Sequence, residues 1–206
     1  MVNKLIKNYP QLESIRELIV AAYELMRQCY LGKRKLLLCG NGGSAADCEH
    51  IVGELIKEYK IKTKIPETMV KELERHGADE RMFQNIVGAL PAVSLSSHIG
   101  FITAFCNDND AEYMFAQQLY ALGEPGDILM AITTSGDSPN VLNAAIMAKA
   151  IGVKIIALTG RDGGKIRRYA DILINVPAKD TDRVQELHLP VYHTLCAMLE
   201  EYFFKG

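Results

Sequence analysis

Short apolar runs, each closed by a loop of Gly, Ser, Asp or Pro and each followed by helical periodicity, restrict this chain more than any other feature. They are Lys35-Leu-Leu-Leu-Cys39, Asp127-Ile-Leu-Met-Ala-Ile132, Val153-Lys-Ile-Ile-Ala-Leu158 and Asp171-Ile-Leu-Ile-Asn-Val176, with Leu90-Pro-Ala-Val-Ser-Leu95 as a fifth and weaker run. A strand apolar on both faces is a strand buried on both faces, and strands alternating with helices call for a parallel sheet between helical layers. The expected fold is therefore α/β, a doubly wound five-stranded parallel sheet flanked by helices.

The rest of the chain fits around that sheet. Leu12, Ile15, Leu18, Ile19, Ala22, Leu25 and Met26 recur at helical spacing and predict an N-terminal helix over 10–31. Further helices are expected over 44–59, capped by Asn41 or Ser44, and over 182–204. Residues 60–88 hold a charged helical stretch interrupted at His76-Gly77. It offers no strand, so it reads as an insertion packed on the edge of a single domain covering 1–206. A length of 206 residues suits one domain with one sizeable core.

Composition narrows the function classes. A formal charge of −2 with scattered Lys and Arg gives nucleic acid no basic stripe to bind. Five cysteines, in neither a paired nor a zinc-finger spacing, fit free thiols in a reducing compartment. No apolar run is long enough to span a membrane, and Met1 to Pro10 lacks the apolar region of a signal peptide. The expected location is the cytoplasm.

The chemistry concentrates in the loops after the strands. Gly40-Asn-Gly-Gly-Ser44 follows the first strand and opens a helix, where backbone amides and the helix dipole favour an anion. It matches neither the dinucleotide fingerprint nor the Walker pattern, so no nucleotide cofactor is expected; a tight turn without a ligand is the plainer alternative. Thr133-Thr-Ser-Gly-Asp-Ser-Pro139 offers more hydroxyls than capping needs and reads as a phosphate nest without Lys or Arg. Thr159-Gly-Arg-Asp-Gly-Gly164 reads mainly as a turn. If the strand order is 2-1-3-4-5, the first and third strands flank the switch point where ligands bind, and their loops are the two anion loops.

Beyond the first loop, His50 and Glu54 stand at i and i+4 on one helix face. Such a pair can be an acid/base couple, two metal ligands or a solvated surface pair. Arg183-Val-Gln-Glu-Leu-His-Leu-Pro-Val-Tyr-His193 opens the last helix with unusual polarity, and Pro190 can redirect His193. A satisfied buried imidazole is the plainer reading of a single His there.

Taken together these segments resemble the sugar isomerase (SIS) domain family, most closely the phosphoheptose isomerases. The resemblance rests on Cys39-Gly-Asn-Gly-Gly-Ser-Ala-Ala-Asp-Cys-Glu-His50 with Glu54, Asn107-Asp108, Ala121-Leu-Gly-Glu-Pro-Gly-Asp127, Thr134-Ser-Gly-Asp-Ser-Pro-Asn140, Ala157-Leu-Thr-Gly-Arg-Asp-Gly-Gly164 and Arg183-Val-Gln-Glu-Leu-His188. It implies a homotetramer with sites shared between subunits. The implied reaction interconverts sedoheptulose 7-phosphate and D-glycero-D-manno-heptose 7-phosphate through an enediol. On this resemblance Ser44, Thr133, Thr134, Ser135 and Ser138, with Gly42 and Gly43, would hold the phosphate. Asn41 would hold the sugar, and Ser96, Ser97, His98, Asp182 and Gln185 would complete the substrate contacts. Glu54 would be the base and His193 the acid. In some relatives the equivalents of His50, Glu54, Gln185 and His193 bind zinc, one ion per site.

Three departures bear on which sugar fits rather than on the reaction type. Ser96-Ser97-His98 stands where the family usually has Thr-Thr-Asp, the 60–88 segment replaces a short Arg-containing link, and Asp137 replaces the usual Asn. Other readings are an isomerase of another ketose phosphate, a non-catalytic SIS adaptor and a sugar-phosphate-sensing protein. Intact Glu54, His193 and Thr134-Ser135-Gly136 favour the enzyme.

Overall fold

A computed structural model describes residues 1–205. Five parallel strands, β1 (Leu36–Cys39), β2 (Ala92–Ser94), β3 (Ile128–Ile132), β4 (Lys154–Thr159) and β5 (Ile172–Asn175), form one sheet in the order β2-β1-β3-β4-β5. This is the expected 2-1-3-4-5 order. Leu36 pairs with Ala92 on one side and Ile128 on the other, so β1 and β3 adjoin at the centre.

Alternation along the strands builds two cores. Leu36, Leu38, Ile128, Met130, Ile132, Ile156 and Leu158 point to one face. There they meet α1 (Val2–Asn8), α2 (Arg16–Leu31), α3 (Gly43–Ile56) and α9 (Thr181–Phe204). Leu37, Cys39, Leu129, Ala131, Ile155 and Ala157 point to the other, against α7 (Met114–Leu122) and α8 (Pro139–Ala150). Burial on both faces is why the strands carry no polar alternation.

The N-terminal region differs from the expected single helix over 10–31. Tyr9, at φ −131°, ends α1, and Pro10–Ile15 forms a 3-10 helix before α2 begins at Arg16. The apolar spacing over 12–26 predicts one helix because it records which side chains face the core, and it does not see this break. α3 stops at Ile56 rather than at 59, because Lys57 is extended (φ −108°, ψ 171°). The turn beyond is capped by the buried Glu200 carboxylate, which accepts from the amides of Tyr59 (2.7 Å) and Lys60 (2.8 Å).

Within 60–88, α4 (Glu67–Arg75) and α5 (Glu80–Asn85) have no buried residue. The segment adds no side chain to either core. It is tied at a neck instead, where the Gly88 amide donates to buried Thr63 Oγ1 (3.0 Å). Its apolar Val70 and Phe83 line a cavity of about 630 Å³ within the excursion. α6 (Ile99–Asp108) is apolar yet has no buried residue, and Ile99 is 70% exposed.

Candidate active site

The loop after β1 turns at Gly42, whose φ of +54° is the left-handed side that glycine adopts freely. Neither Asn41 nor Ser44 caps α3 with its side chain, contrary to expectation; Gly42 itself is the N-cap. The Ser44 and Ala45 amides, which a side-chain cap would take, donate instead to the Asn41 and Gly42 carbonyls (3.0 Å each), and among the described residues nothing accepts from the amides of Gly42 or Gly43. Ser44 is buried at the same helix end. Gln185 on α9 lies so close that a Cβ at position 43 would meet its Nε2 at 2.5 Å, so a side chain there would push the end of Gln185 aside.

The loop after β3 is held by its own hydroxyls. Thr133 Oγ1 lies 3.1 Å from Ser138 Oγ and accepts from the Gly136 amide, while Ser135 Oγ accepts from the Asp137 amide (3.1 Å). This leaves the amides of Thr134, Ser135 and Ser138 without a protein acceptor among the described residues, a nest for an anion. Asp137 does not aim its charge into that nest: its Oδ1 accepts from the Lys165 amide (3.0 Å) at the next loop. That third loop, read as a turn, braces the second. The Ile166 amide donates to the Gly136 carbonyl, and a Cβ on Gly136 (φ +73°) would collide with the Gly163 carbonyl.

The two anion loops are joined. Asn41 and Asn140 exchange side-chain amide hydrogen bonds, 2.9 Å each way. Ser96 Oγ donates to the Gly40 carbonyl (3.0 Å), tying the loop after β2 to the same rim.

Beside the loops, α3 and α9 bring three titratable groups together. His50 Nε2 is 3.2 Å from Glu54 Oε1 and 3.3 Å from His193 Nε2. One ligand atom from each of His50, Glu54 and His193 falls within 4.8 Å of the other two. A tetrahedral zinc with bonds of about 2.0–2.1 Å spaces its ligand atoms roughly 3.4 Å apart, so this N/O set fits the ion. Gln185, the fourth expected ligand, rests on Gly43 in this structure, and Asp182 is exposed in the first turn of α9. Burial lowers the His193 pKa, with the neighbouring His50 acting the same way and Glu54 opposing. Glu54 divides its oxygens, with Oε2 3.3 Å from Lys57 Nζ.

His98 and Ser97 stand apart from the cluster. They line a cavity of about 510 Å³ with Lys57 and Glu49, and none of His50, Glu54 or His193 reaches it. His98 Nδ1 lies 2.6 Å from Gln118 Oε1, and the Gln118 amide donates to the carbonyls of Leu95 and Met114. With that amide committed as donor, His98 must donate from Nδ1, leaving Nε2 to the cavity.

Sequence reasoning missed Asp47, Lys57, Gln118, Asn140 and Tyr192 as participants. Asp47 and Lys57 are three residues from His50 and Glu54, a spacing that shares a helix face. The others are set by tertiary pairing and left no such signal. The cysteines nearest the loops are not nucleophiles: burial pushes the Cys39 thiol up to about 12.

The sheet and its loops agree with the class that the family comparison gives: residues 82–160 match the SIS domain family. The chain is 40% identical over 195 residues to a phosphoheptose isomerase from Shewanella denitrificans, covering 93% of this chain and 87% of that one. It therefore belongs to the phosphoheptose isomerase family. A Helicobacter pylori phosphoheptose isomerase is likewise 40% identical over 192 residues, covering 93% of this chain and 88% of its own. Among solved structures, the phosphoheptose isomerase GmhA of Neisseria gonorrhoeae superimposes with a TM-score of 0.77 at 35% identity, covering 97% of this chain and 94% of its own. The Francisella tularensis enzyme gives 0.78 at 30% identity with the same coverage.

Proposed function

We propose that this chain is an aldose–ketose isomerase that interconverts sedoheptulose 7-phosphate and D-glycero-D-manno-heptose 7-phosphate. The observation that carries the reading is the convergence of His50, Glu54 and His193 beside two amide-lined loops. The loop amides, with Ser44, Thr133, Thr134, Ser135 and Ser138, bind the phosphate and fix the far end of the sugar. Asn41, Asp182 and Gln185 contact the chain of the sugar.

The reaction moves a proton between C1 and C2 through an enediol. Glu54 takes and returns that proton, and His193 moves the proton between the two oxygens. A zinc ion held by His50, Glu54, His193 and Gln185 would polarise the substrate carbonyl and stand in for His193 at the oxygens, because a ligated Nε2 carries no proton. Oε1 of Glu54 faces His50 while Oε2 accepts from Lys57 Nζ, so a zinc ion held by the first oxygen would leave the second for the carbon-bound proton.

We further propose a cytoplasmic homotetramer with shared sites. Its subunit contacts give the apolar, uncovered α6 a partner and let Ser97 and His98 serve a neighbouring copy's cluster. The free cysteines suit a reducing compartment, and among the described residues no helix is long and apolar enough to cross a membrane. Sedimentation at several concentrations tests the assembly, and a monomer at working concentration would overturn it.

The decisive experiment is proton and phosphorus NMR of sedoheptulose 7-phosphate with purified protein, after chelation and again with added zinc. An aldoheptose phosphate is the expected product, formed faster with zinc. No conversion by the folded protein in either sample would overturn the assignment.

A further inference from the structure

Tyr192 sits immediately before His193 on α9, is 1% exposed and has its hydroxyl on the active-site face. Its Oη lies 3.1 Å from Asp47 Oδ1 and 3.1 Å from His50 Nδ1. Asp47 and His50 are one turn apart on α3, and the Tyr192 ring meets the His50 ring edge-on with centroids 5.6 Å apart. The other Asp47 oxygen, Oδ2, is buried and has no partner among the described residues. A half-satisfied buried carboxylate costs stability, so its placement calls for an account in terms of what it orients.

Counting protons supplies one. An ionised Asp47 can only accept, and Tyr192 has one hydroxyl hydrogen. Asp47 takes that hydrogen, so the Tyr192 oxygen faces His50 with lone pairs alone. That oxygen draws the His50 proton to Nδ1, in competition with the Glu54 carboxylate 3.2 Å from Nε2, and a proton held at Nδ1 leaves Nε2 bare toward Glu54 and His193. A bare Nε2 is the form that can hold a metal. Without a metal it accepts from His193, which is then protonated at Nε2, the position needed to deliver a proton.

We infer that Asp47 and Tyr192 are positioning residues that fix the tautomer of His50 and, through it, the donor state of His193. The inference deepens the proposal that His50, Glu54 and His193 work as one cluster. It concerns a hydrogen-bond chain reaching behind that cluster, from Asp47 on α3 across to Tyr192 on α9 and back.

The test reads the tautomer directly. Long-range proton–nitrogen correlation spectra of 15N-histidine-labelled, metal-free protein at neutral pH, with His50 assigned through His50→Gln, distinguish Nδ1–H from Nε2–H. Wild type is expected to hold His50 as Nδ1–H. Tyr192→Phe, which keeps the ring, is expected to shift His50 toward Nε2–H and weaken zinc binding about 10- to 100-fold in competition with a chelating dye. Asp47→Ala should reproduce this result, and Asp47→Asn, which keeps an acceptor oxygen, should restore most of the wild-type behaviour. Thermal melts confirm that each variant is folded. His50 found as Nε2–H in wild type, or unchanged in folded Tyr192→Phe, overturns the inference. A wild-type protein that binds no zinc would sink the metal reading alone, because the metal-free tautomer comparison still decides this one.

Discussion

The loops after β1 and β3 hold their shape with backbone amides, hydroxyls and glycines, whereas the face between α3 and α9 is made of charged and titratable side chains. The first half offers many weak donors to one anion, and losing any one hydroxyl leaves the amides in place. The second half concentrates its chemistry in His50, Glu54 and His193, each within hydrogen-bond reach of another. Redundancy on one side and irreplaceable groups on the other should show as two different mutational profiles.

The largest expected effect lies in the helix half. Glu54→Gln keeps the shape of the side chain and removes the base, and should lower kcat about a thousandfold. Near-normal turnover in the NMR assay would remove the proposed mechanism and, with it, the contrast between the halves.

Acid sensitivity should belong to the helix half too. His188, on α9 between Gln185 and Tyr192, is fully buried, and burial lowers its pKa from 6.5 to about 4. The unfolded chain binds a proton below pH 6.5 that the folded chain refuses until about pH 4, so this stability is whole above 6.5 and lost as pH falls through that window. The loss amounts to about 3 kcal/mol at pH 4, read from denaturant melts. His188→Leu should flatten this part of the profile, and an unchanged profile would place the acid sensitivity elsewhere.

The loop half breaks through its backbone. Gly136→Ala forces a side chain into a left-handed position against the Gly163 carbonyl and should cost roughly 2–3 kcal/mol in a thermal melt. Removing a hydroxyl is far milder. Ser138→Ala should raise KM about five- to tenfold and leave kcat nearly unchanged. A kcat collapse there would mean that the hydroxyl touches the reacting carbons, and the two halves would no longer be separable.

The smallest effect is expected outside both. Residues 64–87 leave and return through the hydrogen-bonded neck of Thr63 and Gly88. Replacing them with a short Gly-Ser turn should change stability by no more than about 1 kcal/mol, since surface changes away from buried contacts seldom do more. A large loss would show that the excursion supports the core.

The sequence was most readable where a single physical rule governs. Continuous apolar runs such as Ile128–Ile132 announce strands buried on both faces, and the supposed order of the sheet agreed with which loops carry the chemistry. His50 and Glu54 were legible through their spacing. What escaped was decided by partners distant in the chain. The break at Tyr9 and Pro10 hides inside a continuous apolar pattern. Gly42 displaced the expected side-chain cap of α3, where the Ser44 and Ala45 amides turn back to the Asn41 and Gly42 carbonyls. The Asp47–Tyr192 contact joins residues 145 positions apart, and no local pattern announces it.

The reciprocal amide bond between Asn41 and Asn140 has a kinetic meaning as well. Each loop hangs from its own central strand, and the paired amides lock the two rims into one lip. Fluctuations of the lip are then shared, so anything gripping one strand's loop also quiets the other. On the proposed function, departure of the substrate phosphate would be a joint event, timed by the breathing of the pair rather than by either loop alone.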